Sequence, residues 1–96
     1  VPRGSLVIDA GAERALRGGG SLLPVGIVEV SGDFQAGDAV VVRGPGGRDL
    51  ARGLVTFSSE EAQRIRGRRS EELAALLGYS GRDEMIHRDN LALLDN

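Results

Sequence analysis

Most of the β-branched residues of this chain lie between positions 22 and 57, in three short apolar runs. The runs are Ile27–Val30, Ala39–Arg43 and Leu50–Val55. The segments between them are rich in Gly, Asp, Ser and Pro, which adopt or preset the backbone angles of turns. Such spacing is typical of strands joined by short turns, and it predicts a three-stranded antiparallel meander.

Two features of these runs predict a curled sheet. The run Ala39–Arg43 is apolar without alternation, as expected for a strand covered on both faces, whereas Glu29 places a charge on one face of the first run. Gly26 lies at the edge of a strand pattern, and Gly53 lies inside one. Glycine at such positions often marks a bulge, a tight bend or a close backbone approach. We therefore expect a small, partly closed barrel.

The N-terminal segment predicts a strand that enters a helix. Leu6–Asp9 has the strand pattern, and the Asp9 carboxylate can cap the first amides of a helix. Ala12, Ala15 and Leu16 follow helical apolar spacing, and Gly18–Gly20 ends the helix.

Two further helices are predicted after the β-rich region. Ser58 and Glu61 have the spacing of a capping box, which opens a helix that runs through Arg66. Ser70 is placed to cap a second helix, which ends at Gly78.

The C-terminus has the pattern of a closing hairpin. Met85–His87 and Leu91–Leu94 form the two predicted strands, and Arg88–Asn90 forms the bend between them. We expect the side chains of Asp89 and Asn90 to hold this bend by binding backbone amides. The predicted fold is therefore mainly β with small helices (α+β). It has about six short strands, one helix after the first strand and two small helices before the closing hairpin.

The first five residues, Val1–Ser5, match the remnant of a thrombin site left by removal of a purification tag. On this interpretation residues 1–5 are a tag remnant and residues 6–96 form one domain. That length allows one hydrophobic core and is below the usual size of a free-standing enzyme.

Composition narrows the function further. There is no Cys, so a disulfide framework and a Cys-based zinc site are excluded, and a reducing cytoplasm is the expected location. No apolar run is long enough to cross a membrane. The net charge of −2 and the three aromatic residues disfavour a strong nucleic-acid binder, which needs positive charge and often stacking surfaces.

Several segments together resemble a PUA domain, and more specifically the PUA domain found at the C-terminus of bacterial glutamate 5-kinases. The similarity extends from Leu6 to Leu94, and its last segment is the most specific. The segments that carry it are Val7–Ala12, Gly20–Ile27, Ala51–Val55 with Ser58 and Ser59, Leu77–Tyr79 and His87–Leu91. The family often has a polar or basic residue where Gly20 stands, and often Tyr where Phe57 stands.

The resemblance implies a PUA-like pseudo-barrel that accompanies a kinase. The parent enzyme would transfer the γ-phosphoryl group of ATP to the side-chain carboxylate of glutamate, in the first step of proline biosynthesis. That chemistry, with its ATP and Mg²⁺, belongs to an amino-acid-kinase domain outside these residues, so we expect no catalytic residue, metal or cofactor here. The leading hypothesis is a non-catalytic accessory domain that affects assembly or regulation of a homo-oligomeric enzyme.

The runner-up hypothesis is an RNA-binding module. In RNA-binding PUA domains the first helix, the loop after it and the last strand form the docking face. That face maps onto Arg14, Arg17, Gly18, Gly19, Gly20 and Ser21, with Leu91–Leu94. Gly18–Gly20 follow a helix C-terminus, where carbonyl groups disfavour anions, so turn formation is the favoured interpretation of these glycines.

Two other clusters have ordinary structural interpretations. Arginines at positions 64 to 69 form the densest positive patch, which we expect to be solvated surface or a contact with another domain or subunit. Its members are Arg64, Arg66, Arg68 and Arg69. The run His87, Arg88, Asp89 matches the first letters of a protein-kinase catalytic loop but lacks the remaining parts of that motif, so with Asn90 it is predicted to be a structural closing motif.

Overall fold

The computed structural model describes residues 1–94, which form one five-stranded sheet and three short α-helices. The domain predicted at residues 6–96 therefore ends two residues outside the described part of the chain. The strands are β1 Gly4–Ile8, β2 Ile27–Gly32, β3 Ala39–Arg43, β4 Asp49–Leu54 and β5 Leu91–Leu93. The helices are α1 Ala10–Arg17, α2 Ser59–Ile65 and α3 Leu73–Leu77, and 3₁₀ turns lie at Pro24–Gly26, Ser70–Glu72 and Arg88–Asn90.

The order of strands in the sheet is β2-β1-β3-β4-β5, so the predicted meander is wrong in one respect. β3 and β4 do form an antiparallel hairpin, but β1 lies between β2 and β3, antiparallel to β2 and parallel to β3. Residues 33–38 step across β1, a distance of two strand spacings, or about 10 Å. This order gives the apolar strand β1 a partner on both sides.

Strand β1 also begins earlier than expected. Gly4 and Ser5 belong to the strand, where Gly4 pairs with Gly32 and Val40. These two residues therefore work as part of the sheet, and the origin of Val1–Ser5 stays a prediction.

The inner face of the sheet carries the core. Leu6 lies between Val30 and Val42 in the register, and Val42 pairs with Ala51. Leu6, Val42 and Ala51 are completely buried. Other buried residues cover this row from the helices and the loops, among them Leu16, Leu22, Phe34, Phe57, Ala62, Ile65, Met85 and Ile86.

The next row of the same face contains glycines. A methyl group built on Gly4 would lie 2.8 Å from Phe34 Cδ2, and one on Gly53 would lie 2.7 Å from Ile86 Cγ2. Both distances are shorter than a normal contact between carbon atoms. Phe34 and Ile86 thus pack directly on the sheet backbone, which is the close approach that the sequence predicted for Gly53.

The predicted closing hairpin is not formed. β5 pairs with β4, whereas Ile86 makes an isolated bridge with Leu22. The Leu22 amide donates to Ile86 O at 2.9 Å, and the Met85 amide donates to Leu22 O at 2.8 Å. Because residues 85–86 are held by this segment, they are unavailable to β5, and the sheet has five strands instead of about six.

Two of the three predicted helix caps are confirmed. The Asp9 Oδ1 atom accepts a hydrogen bond from the Ala12 amide at 2.8 Å, and Ser58 and Glu61 form both halves of the capping box. The prediction for Ser70 is wrong: it begins a 3₁₀ turn that has no side-chain cap, and α3 starts only at Leu73. Ser70 through Glu72 are exposed or half-buried, so little packing holds them in an α-helical turn.

Tyr79 links the end of α3 to the start of α2. Its hydroxyl donates a hydrogen bond of 2.6 Å to Glu61 Oε2. This bond lowers the pKa of Glu61, against the smaller opposing effect of partial burial, and it raises the pKa of Tyr79. The same carboxylate accepts from the Ser58 amide through Oε1 at 3.1 Å, so one side chain completes a cap and holds a neighbouring loop.

We predict that Gly53→Val is strongly destabilising. The added side chain would meet Ile86 Cγ2 at 2.7 Å and the Asn90 carbonyl oxygen at 3.0 Å, and overpacking of this kind costs about 1–3 kcal/mol or more. Urea unfolding measures the loss. Gly46→Ala is the matched control, because nothing lies within 4 Å of a methyl group at that position. Equal midpoints for the two variants would show that β4 has room at position 53.

Candidate functional site

The loop after α1 is built from backbone hydrogen bonds. The Gly18 amide donates to Arg14 O at 3.1 Å, and the Gly20 amide donates to Ala15 O at 2.9 Å. Gly19 has a φ of +89°, a conformation that glycine adopts at little cost. The amides of this loop therefore bond to carbonyl groups of the last helical turn. The carbonyl groups at this end of the helix give it a negative potential, which disfavours anions.

Two arginines of the predicted docking face lie on the last turn of α1, and both are exposed. Arg17 Nε lies 3.0 Å from Glu13 Oε2, so its charge is partly neutralised. No carboxylate of residues 1–94 lies within 4.0 Å of the Arg14 guanidinium. Arg14 is thus the cation of this face that is open to a ligand.

Ser21 joins this loop to the turn that precedes β5. Its Oγ atom accepts a hydrogen bond from the Arg88 amide at 2.8 Å. Within the turn, the Asp89 amide donates to His87 Nδ1 at 3.1 Å. The imidazole of His87, rather than the side chains of Asp89 and Asn90, therefore holds the bend, which corrects the sequence interpretation. β5 continues from this turn along β4.

A groove of about 250 Å³ lies beside α1. We call it the α1 groove. It is lined mainly by apolar groups, with Ser21 and Asp9 as its polar members. Its other main lining residues are Ala12, Ala15, Leu23 and Val25.

The α1 groove depends on a close approach and exposes two apolar side chains. A methyl group on Gly26 would lie 2.5 Å from Ala12 Cβ, so only glycine lets the 3₁₀ turn come this near to α1. Leu23 and Val25 are 40% and 49% exposed. Neither residue was among the site residues predicted from the sequence, although apolar residues around a proline outside any strand were a signal that the sequence contained.

The arginine patch at positions 64 to 69 is largely engaged by its neighbours. Arg64 lies 2.8 Å from Glu60 Oε1, one turn earlier in the helix, and Arg68 lies 3.3 Å from Glu72 Oε2. Arg66 donates to the Val28 carbonyl oxygen at 2.7 Å. Arg69 is exposed and precedes the 3₁₀ turn at Ser70.

Gln63 of α2 and Arg66, the C-cap residue of that helix, cover the outer edge of β2. Arg66 binds the Val28 carbonyl oxygen, and Gln63 Nε2 donates to the Val30 carbonyl oxygen at 3.0 Å. An open strand edge is a template for pairing with another chain. This contact therefore protects the edge, which gives Arg66 a structural role inside the patch.

Residues 1–94 contain neither a cluster of metal ligands nor a membrane-spanning helix. Within residues 1–94, no three His, Asp or Glu side chains are grouped so that they could hold a metal ion. None of the helices described here is long and apolar enough to span a membrane.

Comparison with known proteins identifies the class to which this fold and loop arrangement belong. The sequence model of the PUA domain matches residues 4–77, so the chain belongs to the PUA domain family. The curated relatives that it matches are glutamate 5-kinases. It is 56% identical to those of Bradyrhizobium sp. strain BTAi1 and Synechococcus sp. strain JA-3-3Ab, over 96% and 99% of this chain. The chain spans only about a quarter of their length, 24% and 26% respectively.

Solved structures show the same fold. A PUA domain from Aeropyrum pernix K1, crystallised with tartrate, matches with a TM-score of 0.64 and 25% identity over 90% of this chain and 43% of its own. A chain of the archaeal box H/ACA sRNP Nop10–Cbf5 complex matches with a TM-score of 0.62 and 19% identity, over 95% of this chain and 23% of its own.

Proposed function

We propose that this chain is the C-terminal accessory domain of a glutamate 5-kinase. The observation that supports this proposal is the 53–56% sequence identity to enzymes of that name over at least 96% of the chain. The parent enzyme would phosphorylate the side-chain carboxylate of glutamate with ATP, the first step of proline biosynthesis. The three quarters of the relatives' length that lie outside this chain would contain the kinase domain with its ATP and Mg²⁺.

The contacts of the polar side chains support a non-catalytic role. His87 accepts a backbone hydrogen bond within its own turn, Ser21 accepts one from Arg88, and Ser58 caps α2. A nucleophile and its base need to lie within hydrogen-bond reach of each other, and among residues 1–94 no hydrogen bond joins the His87 imidazole to the hydroxyl of Ser21 or Ser58. The domain would act on the enzyme through contacts that affect assembly or regulation of a homo-oligomer.

The test compares the full-length parent enzyme with a form that lacks this domain. We expect the truncated kinase to remain folded and to keep glutamate-dependent ADP production, with a changed oligomeric mass or a changed dependence of rate on substrate concentration. Light scattering and a coupled ADP assay measure the two quantities, and a thermal melt checks that the truncated enzyme is folded. A folded truncated kinase without any activity would contradict the proposal, because the domain would then supply part of the catalytic site.

RNA binding is the second candidate function. It is favoured by the exposed Arg14 beside the loop after α1, and by the fold shared with a chain of an archaeal ribonucleoprotein. Against it stand the net charge of −2, the small number of aromatic residues, which is three, and the presence of Gly20 where a basic side chain would help a phosphate contact. We infer weak binding without sequence preference.

Titration of labelled tRNA and of a structured hairpin at near-physiological salt tests this second candidate. We expect a Kd in the range of non-specific binding, about 10⁻⁴ to 10⁻⁶ M, with a steep salt dependence. Arg14→Ala/Arg17→Ala probes the docking face, and Arg48→Ala on the β3–β4 loop is a control for loss of charge elsewhere. Sub-micromolar binding that depends on RNA sequence and disappears only in the α1 variant would favour the RNA-binding module.

A further inference from the structure

A second groove lies on the solvent-facing side of the sheet, at the end where β1 begins. We call it the sheet groove. It encloses about 370 Å³ across the first residue of β3, the last residues of β4 and the start of β5. Its main lining residues are Ala39, Arg52, Leu54, Asp89, Leu91 and Ala92.

The register explains why four of these side chains, those of Ala39, Arg52, Leu54 and Ala92, share a face. Leu54 pairs with Ala39, and Arg52 pairs with Ala92. Directly opposed residues of neighbouring strands point to the same side of a sheet. Arg52 and Leu54 are exposed whereas Gly53 between them is buried, so this side is the one that faces solvent.

The chain enters the domain at the edge of this groove. The Arg3 amide donates to the Ala39 carbonyl oxygen at 2.9 Å, and Gly4 then pairs with Val40. The residues of a longer parent chain that lead into β1 must therefore arrive beside Ala39. The α1 groove lies beyond the other end of β1, about 13 Å further along the strand.

We propose that the sheet groove is the surface on which the preceding kinase domain of the same parent chain docks. This inference rests on the proposed function, since it requires the domain to follow a larger one. The relatives are about four times as long as this chain, which covers 24–26% of them. A domain tethered at Ala39 has an effective concentration in the millimolar range near the groove, so a modest interface suffices to hold it.

The chemistry of the groove defines the partner surface. Leu54 is 46% exposed, and Ala39 beside it is half-buried. Among residues 1–94, no carboxylate lies within 4.0 Å of the Arg52 guanidinium. The matching surface therefore presents an apolar side chain to Leu54 and a carboxylate to Arg52. Mixed surfaces of this kind are usual between domains of one chain.

The proposed contact with the kinase domain, at the sheet groove, lies away from the arginine patch. That patch lies along and after α2, and α2 packs beside β2 at the opposite edge of the sheet from β5. Arg64, Arg66 and Arg68 already have partners within the domain. In the sheet groove, the Arg52 guanidinium has no carboxylate partner among residues 1–94, and the groove lies next to the start of β1.

Photo-crosslinking in the full-length enzyme tests the proposal. A benzophenone amino acid is placed at position 54, and in a control at position 28, where Val28 is 52% exposed on the far edge strand β2. We expect position 54 to give an internal crosslink, at the mass of one chain, that maps by mass spectrometry to the kinase domain. Position 28 should give several-fold less of this product.

Other products would overturn the proposal. A crosslink from position 54 to the same domain of a second chain would identify a homodimer face. A crosslink yield at position 54 no greater than that at position 28 would mean that no domain covers the sheet groove. If the crosslink forms but the enzyme has no glutamate-dependent activity, the proposed function fails and the docking surface remains. If the enzyme is active without the crosslink, only the docking surface fails.

A double variant gives an independent measurement. Arg52→Glu/Leu54→Asp in the full-length enzyme should accelerate proteolytic cleavage between the two domains several-fold, because the released domains expose the linker. Val28→Asp is the control for an added charge at an equally exposed apolar position. Unchanged cleavage in a double variant whose thermal melt remains cooperative would contradict the proposal.

Discussion

The insertion of β1 between β2 and β3 is the constraint on which the rest of this structure depends. Leu6 is completely buried because it lies between Val30 on one side and Val42 on the other. A parallel pair such as β1 and β3 requires a long crossover connection. In this domain α1, the 3₁₀ turn at Pro24 and β2 all belong to that crossover, so the position of each follows from the pairing of β1.

The two ends of β1 lead to the two surfaces with functional potential. At its C-terminal end the chain passes through Asp9 into α1, and Gly26 brings the 3₁₀ turn against Ala12 to shape the α1 groove. At its N-terminal end Arg3 binds Ala39 beside the sheet groove. One strand thus separates the α1 groove from the sheet groove, on which the preceding domain is proposed to dock. A single small domain can in this way serve a partner and a neighbour at once.

Local sequence signals predicted the local structure well. The caps at Asp9 and Ser58 were correct, because a side chain that bonds an amide three residues away needs no information from the rest of the chain. The close approach at Gly53 was also predicted from one glycine inside an apolar run. The predicted strand order was wrong. Residues 33–38 could either form a short turn between neighbouring strands or step across β1, and their sequence is compatible with both. Which of these occurs depends on the burial of Leu6 and Ile8, which are distant in sequence.

The candidate site was only partly predictable for the same reason. The resemblance to PUA domains pointed to α1 and its loop, but the sequence could not show that Arg66 is used on the edge of β2. Leu54 was assigned to a strand without a sign of which face would be exposed. Its exposure depends on the pairing of β4 with both β3 and β5, and β5 was expected to pair with residues 85–87 instead.

Removal of Val1–Ser5 tests the central role of β1 most directly. The truncation deletes Gly4 and Ser5, two of the four residues that pair with both β2 and β3, together with the Arg3 hydrogen bond to Ala39. Since each buried backbone hydrogen bond contributes about 1 kcal/mol, urea unfolding should show a loss of several kcal/mol. Removal of Val1 and Pro2 alone, which precede the strand, should change little. An unfolding midpoint of the five-residue truncation equal to that of the intact chain would contradict this account.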